Sequence, residues 1–232
     1  MVVTAVMSEP SPAALVTDWD AVTTVCLDMD GTVLDLSFDN LFWLDALPRR
    51  WGEKHGVPAD QAIPQLHARF DAKRGTLEWY CVDHWSEELD FDIATLKAEM
   101  QEHIRYLPGA LEFLDEVRAR GKRLLLTTNA HPISLDVKNR ATGLARHFDE
   151  LVSSHEFGVP KEEPEFWDRL AQRHGVDPAA TLFVDDSVAV LRAARAAGLR
   201  QIYQVLLPDS TQPPRAALPG FTAIRGLGDL VP

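Results

Sequence analysis

The chain has 232 residues, of which 46% are hydrophobic and 25% are charged, and its formal net charge is -12. This length and composition are typical of a globular protein with one large domain, or with a core and a smaller insert. The acidic balance argues against nucleic-acid polymers and anionic membranes as partners.

The first residues and the two cysteines bear on localisation. Residues 1–18 contain acids and prolines and lack a basic leader, so we expect a flexible tail and no signal peptide. No apolar run approaches the roughly 18 to 20 residues that span a bilayer. Of the two cysteines, Cys26 and Cys81, the first lies in an apolar run and is expected to be a buried thiol. A reducing, cytoplasmic location fits this cysteine usage.

The first predicted element is an apolar strand that ends at two carboxylates. Residues 22–27 are largely apolar and β-branched, and Asp28, Asp30, Gly31 and Thr32 follow them. This pattern predicts a buried central strand whose carboxyl end opens into a loop. Two neighbouring carboxylates repel each other and are costly to desolvate, so they favour a bound cation, and Mg²⁺ prefers oxygen ligands.

Residues 37–106 show helical spacing and many aromatic side chains, which predicts an all-helical insert. We expect its hinges near residues 35–36 and 107–109, with 19–36 and 107–232 forming the core. The four predicted helices are one through Leu41, Leu44 and Leu47 that ends at Pro48, one that opens at residues 57–60, and two at residues 77–89 and 93–104.

From residue 110 onwards, helices and strands alternate. The predicted helices are 110–120, 131–141, 163–174 and 187–197, and the predicted strands are 123–127, 148–153, 181–184 and 200–206. Such alternation predicts right-handed crossovers and an α/β fold with a doubly wound parallel sheet of five strands, counting the first. A proline-rich loop over residues 208–219 then leads to a short closing segment.

The residues that can carry chemistry share one feature, because each follows a predicted strand. They are Asp28, Asp30, Thr128, Lys161, Asp185 and Asp186. The carboxyl ends of parallel strands meet at one sheet edge, where ligands bind in such folds. Dinucleotide, P-loop and nucleophile-elbow motifs are absent, so these kinds of site lack support. HExxH and CxxC motifs are also absent, so zinc is not expected. Mg²⁺ with a carboxylate nucleophile remains. A carboxylate can attack phosphorus and form an aspartyl-phosphate that water then cleaves.

Four motifs in order resemble those of the haloacid dehalogenase-like hydrolases. They are DMDGT at residues 28–32, Thr128-Asn129, Lys161, and Asp185-Asp186, and the helical insert is similar to the C1 cap of that superfamily. A closer similarity links the chain to the bacterial GMP/IMP nucleotidase family over residues 19–206. The stretches that carry it are DMDGTVLDLSFDNLFW, LEWYCVDHWSEELD, LLLTTNAHP, HEFGVPKEEPEFW and TLFVDDS.

The resemblance implies a role for each motif residue. Asp28 is implied as nucleophile and metal ligand, and Asp30 as general acid/base whose backbone carbonyl also binds the metal. Thr128 and Asn129 are implied to hold phosphate oxygens, and Lys161 to neutralise charge on the phosphoryl group.

The same resemblance implies a Mg²⁺ site that is completed after the fourth strand. Asp186 is expected to be a direct ligand, and Asp185 to act directly or through a water molecule. A helix N-terminus also favours an anion, so Asp185 could instead serve only that structural role.

The cap is expected to choose the substrate. Trp79, His84 and His131 are candidates for substrate contact, together with Phe38, Asn40, Trp43, Tyr80, Asp83 and Trp85. Asp39 and Asp83 are candidates for reading the donors of a guanine. A helix-packing or structural role is the alternative for each of these cap side chains.

The resemblance therefore implies a Mg²⁺-dependent 5′-nucleotidase that acts on purine monophosphates such as GMP and IMP. A phosphatase of sugar phosphates or phosphoglycolate is the alternative within enzymes. A catalytically inactive binding or regulatory module is the alternative outside them. The expected partner is a small phosphorylated molecule, and both a monomer and a homodimer remain open.

Overall fold

The centre of the molecule is a six-stranded parallel sheet, in a computed structural model that describes residues 17–231. The strands are β1 (Thr24–Leu27), β2 (Arg123–Thr128), β3 (Glu150–Ser153), β4 (Thr181–Asp185), β5 (Gln201–Val205) and β6 (Thr222–Ile224). Their spatial order is β3-β2-β1-β4-β5-β6. β1 is central and pairs with β2 on one side and with β4 on the other.

The alternating side chains of the strands divide the core into two layers. Val25 and Leu27 point into one layer with Phe113, whereas Cys26 points into the other with Phe166. This follows from the two-residue period of a strand. The helices that cover the sheet are α7 (Ala110–Ala119), α8 (Pro132–Thr142), α9 (Pro164–His174) and α10 (Val188–Ala196). Because both faces are covered, the predicted doubly wound parallel sheet is confirmed.

The sheet has one more strand than the sequence predicts. β6 lies in the closing segment and extends the sheet parallel to β5, with Thr222 beside Tyr203. It has three residues, of which only Ile224 is buried. Such a short run carries no readable two-residue period, which is why the pattern indicates no strand there.

Six of the helices between β1 and β2 form the inserted cap, and the seventh, α7, covers the sheet. The cap helices are α1 (Ser37–Leu41), α2 (Leu47–His55), α3 (Ala59–Lys73), α4 (Leu77–Tyr80), α5 (Val82–Glu88) and α6 (Ile93–Glu99). The cap has its own apolar core around Phe42, Leu66 and Trp85. The predicted all-helical cap is therefore confirmed. Each helix within residues 17–231 is too short or too polar to span a membrane.

The first cap helix does not end at Pro48, contrary to the prediction. A π-helical turn over Phe42–Ala46 joins α1 to α2, and Pro48 lies in the first turn of α2. A proline is tolerated there because its missing N–H would have no partner. The predicted apolar face is also wrong, since Leu41 and Leu44 are 38% and 50% exposed whereas Phe42 is buried.

Two other cap predictions need correction. The helix predicted over residues 77–89 is interrupted at Cys81, whose backbone is extended. The helix predicted over residues 93–104 ends as an α-helix at Glu99, and a 3₁₀ turn over Gln101–His103 follows it.

Most of the predicted flexible tail lies outside the described residues. Thr17 and Asp18 are described, and both contact the fold. The Thr17 hydroxyl lies 2.9 Å from the Tyr203 hydroxyl, and the Asp18 carboxylate accepts the backbone N–H of Ala21 at 3.3 Å. These two residues therefore belong to the ordered chain.

Candidate active site

Three carboxylates and one lysine meet at the carboxyl edge of the sheet. Asp28 follows β1, Asp185 ends β4, Asp186 comes next, and one oxygen of each lies within 4.8 Å of the others. The Lys161 ammonium lies 2.5 Å from Asp28 and 2.8 Å from Asp185, and it donates to the Thr127 carbonyl at 3.0 Å. The structure thus brings together residues that are far apart in sequence.

The charge at this edge is unbalanced towards the negative. Burial is the largest cause that raises the pKa of Asp28, Asp185 and Asp186, each to about 6, and their mutual repulsion adds to it. Lys161 opposes this effect, and Asp28 and Asp185 outweigh burial to raise the pKa of Lys161 itself. Arg215 also contacts Asp186, at 2.7 Å. Clustered carboxylate oxygens with too few cations fit a hard divalent ion such as Mg²⁺.

Two hydrogen bonds hold the backbone of Lys161, one at its N–H and one at its carbonyl. Its N–H donates to the Asn129 side-chain oxygen at 2.8 Å, and its carbonyl accepts the Trp167 indole N–H at 2.8 Å. Both partner residues, Asn129 and Trp167, are buried. The lysine is therefore held in place before any ligand arrives.

The Asp30 carboxyl stands apart from this group and faces a different lysine. The Lys138 ammonium lies 2.7 Å from Asp30 and 2.7 Å from Asp39, which belongs to the cap. Burial and then the Asp39 charge raise the pKa of Asp30 to about 7, although Lys138 opposes them. A carboxyl that titrates near neutrality is suited to both giving and taking a proton.

Lys97 and Lys138 are functional candidates that sequence reasoning missed. Lys97 is 1% exposed, its ammonium lies 3.4 Å from Asp39, and it sits 4.2 Å from the centre of the Phe42 ring. Burial lowers the pKa of Lys97 to about 8. Burial also raises the pKa of Asp39, but the two lysines outweigh it and lower that pKa. Each Asp39 oxygen faces one lysine, so a guanine donor at Asp39 would share an oxygen with an ammonium group.

The predicted phosphate-binding residues lie at the end of β2, beside the catalytic lysine candidate. The Thr128 hydroxyl oxygen accepts the Ala130 N–H at 3.0 Å, which leaves its own proton free to donate. The Asn129 amide instead bonds to the protein on both sides, since its nitrogen donates to Glu162 at 2.9 Å. The Asn129 amide therefore holds the loop through its bonds to Glu162 and Lys161.

Glu162 is a second residue that the motifs did not reveal. Its other oxygen accepts the Tyr80 hydroxyl of α4 at 2.7 Å. This bond joins the cap to the loop that holds Lys161. Burial and the Glu162 charge raise the Tyr80 pKa, so the phenol stays protonated as a donor.

Asp185 has a structural partner as well as its place in the carboxylate cluster. One of its oxygens accepts the Ser187 N–H at 2.7 Å, at the start of α10. Ser187 occupies the N-cap position, as the pattern indicates, but its own side chain makes no capping bond. Its other oxygen accepts the Lys161 ammonium at 2.8 Å, so the bond at the start of α10 does not occupy the whole carboxylate.

A cavity of about 770 Å³ lies between the cap and the sheet edge. Asp28, Asp30 and Lys161 line one end of it. The aromatic and polar side chains that line the remainder are Asn40, Trp43, His67, Phe70, Arg74, Trp79, Tyr80, Trp85 and Lys97. This volume lies within the range of small-molecule sites.

Four predicted cap contacts lie outside the lining of this cavity. Phe38 is buried beneath Lys97 and Lys138, and His84 packs against the Trp85 ring at 4.9 Å. His131 Nε2 lies 3.6 Å from the Asp83 carboxylate, and neither residue lines the cavity. The structure thus brings Trp79 to the cavity wall but not His84 or His131.

Comparison with known proteins gives concordant results. A model of haloacid dehalogenase-like hydrolases matches residues 22–198. The GMP/IMP nucleotidase YrfG of Escherichia coli strain K12 is 44% identical to this chain over 192 residues, which cover 83% of this chain and 86% of that protein.

Solved structures share the fold at low sequence identity. A HAD phosphatase from Thermococcus onnurineus matches with a TM-score of 0.77 at 20% identity, covering 90% of this chain and 96% of that one. CbbY from Rhodobacter sphaeroides, solved in complex with phosphate, matches with a TM-score of 0.64 at 16% identity, covering 90% and 96%. These matches support the arrangement of core and cap.

Proposed function

This chain belongs to the haloacid dehalogenase-like hydrolase family, and on that premise we propose that it is a Mg²⁺-dependent phosphatase of purine nucleoside 5′-monophosphates. The observation that carries the proposal is the placement of Asp28, with Lys161 at 2.5 Å, at the end of an aromatic-lined cavity. The 44% identity to a GMP/IMP nucleotidase supports the choice of substrate.

The first chemical step joins Asp28 to the phosphoryl group. A carboxylate oxygen of Asp28 attacks phosphorus, and the bond between phosphorus and the ribose 5′-oxygen breaks. The leaving alkoxide takes the proton of Asp30, whose pKa of about 7 allows it to be protonated near neutrality. The product of this step is an aspartyl-phosphate with a free nucleoside.

The second step releases phosphate. Asp30, now a carboxylate, removes a proton from a water molecule that attacks the phosphorus of the aspartyl-phosphate. The bond between the Asp28 oxygen and phosphorus breaks, and both carboxyls return to their starting forms. One residue thus serves first as acid and then as base.

The surrounding groups stabilise the charge of the transferring phosphoryl group. Lys161 stays protonated because Asp185 and Asp28 raise its pKa, and its ammonium is held where charge develops. The free hydroxyl proton of Thr128 can donate to a phosphate oxygen. Asp28, Asp185, Asp186 and the Asp30 carbonyl would hold Mg²⁺, which when bound reduces the repulsion between a phosphate dianion and Asp28.

The side chains of the cavity wall are suited to binding a planar, polar group of the substrate. Trp43 and Trp79 line the cavity and are partly exposed, and aromatic faces of this kind stack on nucleobases. His67 and Arg74 add polar groups to the same wall. A purine satisfies both features because it pairs a flat aromatic ring with hydrogen-bonding edges.

We also propose domain boundaries and a location. The chain leaves and re-enters the core side by side, since Asp35 N–H donates to Arg105 O at 2.9 Å and Leu107 N–H donates to Val33 O at 3.0 Å. This pairing supports a cap at residues 37–106 and a core at residues 19–36 and 107–232. Both cysteines are free thiols, which supports a reducing, cytoplasmic location.

Phosphate release from a panel of nucleotides and sugar phosphates tests the proposal. We expect release that favours GMP and IMP, requires Mg²⁺, stops with EDTA and is lost in Asp28→Asn. Asp136→Asn is the matched control, because this aspartate is exposed and pairs with Arg140 on the surface of α8. Release spread over sugar phosphates would retain the chemistry and reject the nucleotidase assignment. No release from any substrate would favour a binding module.

A further inference from the structure

A second group of metal-ligating side chains lies where the cap meets the core, and it shares no residue with the carboxylate cluster. The Cys81 sulfur and one ring nitrogen each from His131 and His155 lie within 4.8 Å of one another. Cys81 belongs to the cap, between α4 and α5, whereas His131 precedes α8 and His155 follows β3 in the core. Because the three residues are far apart in sequence, no spacing motif could reveal them.

We propose that Cys81, His131 and His155 form a binding site for a borderline transition-metal ion, with Zn²⁺ as the ion that this ligand set favours. Thiolate and imidazole are the ligands that Zn²⁺ takes in proteins. This inference stands independently of the proposed phosphatase function, because it uses none of the residues in that mechanism.

An unpartnered nitrogen points to a ligand at this position. The Nε2 atom of His155 is buried and has no hydrogen-bond partner among the described residues. Buried polar atoms without partners are rare in folded proteins, and a bound ion is one of the few explanations. Burial lowers the pKa of both His131 and His155, the latter to about 4, so both rings present neutral nitrogen lone pairs near pH 7.

The distances are close to those of an occupied site. Zinc bond lengths of about 2.3 Å to sulfur and about 2.0 Å to nitrogen place tetrahedral ligand atoms about 3.4–3.6 Å apart. The three ligand atoms lie within 4.8 Å of one another, so even a separation at that limit would shorten by only about 1 Å on binding. Asp83 offers a fourth ligand, because its carboxylate lies 3.6 Å from Nε2 of His131 and its side chain is 66% exposed, which leaves it free to move.

The two clusters differ in the metals that they select. Asp28, Asp185 and Asp186 offer only oxygen, which suits Mg²⁺, whereas the cysteine and histidines offer sulfur and nitrogen, which Mg²⁺ binds poorly. Metal titrations can therefore distinguish the sites by the identity of the ion.

Occupancy of the site would link the cap to the core. Cys81 directly follows Tyr80, whose hydroxyl bonds to Glu162 of the core. Trp79, one residue earlier, lines the cavity. His131 lies two residues after Asn129 in the loop beside Lys161. An ion bound here would restrain the cap against the edge of the active-site cavity, and we expect it to raise the melting temperature.

Cobalt titration followed by absorption spectroscopy tests the site directly. Co²⁺ replaces Zn²⁺ in thiolate sites and gives a sulfur-to-metal charge-transfer band, which carboxylate ligation does not produce. We expect one equivalent of Co²⁺ to produce this band in the wild-type protein and Zn²⁺ to displace it. Loss of a direct ligand should weaken metal binding at least about 100-fold, beyond the usual effect of losing an outer-shell partner.

Three variants complete the experiment. Cys81→Ser removes the thiolate. The serine hydroxyl can still accept the His84 N–H, which the Cys81 sulfur accepts in the wild type, so the start of α5 is preserved. His155→Gln removes a ligand and keeps a polar side chain. Cys26→Ala is the matched control, because Cys26 is fully buried in β1 and burial raises its pKa to about 12.

The outcomes decide the proposal. A band that survives in Cys26→Ala and disappears in Cys81→Ser and His155→Gln, with circular dichroism unchanged, supports the site. A wild-type protein that gives no band, or a band that persists in either ligand variant, overturns it. If Cys81→Ser fails to fold, His155→Gln gives the same decision.

Discussion

At the scale of single residues, Lys138 links the two domains, because its ammonium contacts both the acid/base candidate Asp30 and the cap residue Asp39, each at 2.7 Å. It opposes the burial and repulsion that raise the pKa of Asp30. Lys138 thus holds the Asp30 carboxyl of the core and contacts the cap through Asp39. Without it, two buried carboxylates would face each other with Lys97 as their nearest described cation.

We predict that Lys138→Met lowers kcat for GMP about 10- to 100-fold, less than the loss of a general acid itself. KM should change little, because Lys138 acts through Asp30. Steady-state kinetics measures both constants. Lys138→Arg should recover part of kcat by restoring the charge, and Lys54→Met, which removes an exposed lysine, should leave it unchanged. An increase in KM with an unchanged kcat would assign Lys138 to substrate binding instead.

Lys97 gives a prediction about pH and stability. Its pKa in the folded protein is about 8, lowered by burial from an ordinary value of 10.5. Above pH 8 the folded state has lost this proton while the unfolded state still binds it, so stability rises with pH across this window. The free energy of unfolding of the wild type should therefore increase relative to that of Lys97→Met between about pH 7.5 and about pH 9.5.

Urea denaturation of the two proteins across this range measures the difference. All other titrating groups are shared, so they cancel in the comparison to first order. A constant difference would show that Lys97 keeps its ordinary pKa in the folded protein, a decreasing one would show that its pKa is raised, and either contradicts the prediction.

At the scale of elements, Gly109 controls how the chain re-enters the core at the start of α7. Its φ is +78°, and a Cβ at this position would lie 2.6 Å from the Gly228 Cα in the closing 3₁₀ turn. Gly121 is a natural comparison, since its φ is +66° but a Cβ there would meet nothing within 4 Å.

We predict that Gly121→Ala lowers the free energy of unfolding by about 1 kcal/mol, which is the cost of a left-handed backbone with a Cβ. Gly109→Ala should cost about 2–4 kcal/mol, because overpacking against the Gly228 backbone adds to the same conformational cost. Denaturant unfolding of both variants tests this. Equal losses would mean that the closing turn moves away without cost.

The elements also show what the sequence could predict. The motif residues were found because Asp28, Thr128 and Asp185 each lie at a strand end, and strand ends are readable from apolar runs. Lys97 and Lys138 were missed because a long cation on a helix is usually solvated, and nothing in their spacing distinguishes a buried one.

Short and irregular elements were missed for a different reason. The three residues of β6 and the π-helical turn at Phe42–Ala46 are too short to show a period of their own. Leu44 lies within the π-helical turn, whose period differs from that of an α-helix, which explains why Leu44 is exposed despite its helical spacing from Leu47. These features depend on tertiary contacts that one sequence does not display.

At the scale of the whole molecule, the cap and the core line one cavity with different side chains. The core end carries Asp28 and Lys161, and the cap end carries the aromatic wall. The Tyr80–Glu162 hydrogen bond and the charge contacts of Asp39 join the two parts. If the proposed roles are correct, we expect mutations of the cap wall to change KM and mutations of the core residues to change kcat.

We predict that Trp79→Ala raises KM for GMP about 10- to 100-fold, which is the usual effect of losing one aromatic stacking partner for a base. KM for ribose 5-phosphate should stay within about threefold, because this substrate has no base to stack, and it serves as the internal control. Steady-state kinetics with both substrates gives the comparison. Equal increases for both would indicate that Trp79 maintains the shape of the cap.

The central claim is that Asp28 carries the phosphoryl group, and chemical trapping during turnover tests it most directly. Borohydride reduces an acyl phosphate to an alcohol, which would convert Asp28 to homoserine and change the mass of the peptide that contains it. We predict this change in the wild type with GMP and Mg²⁺, and its absence in Asp28→Asn and without GMP. Turnover with an unmodified Asp28, or with the modification on another carboxylate, would contradict the account.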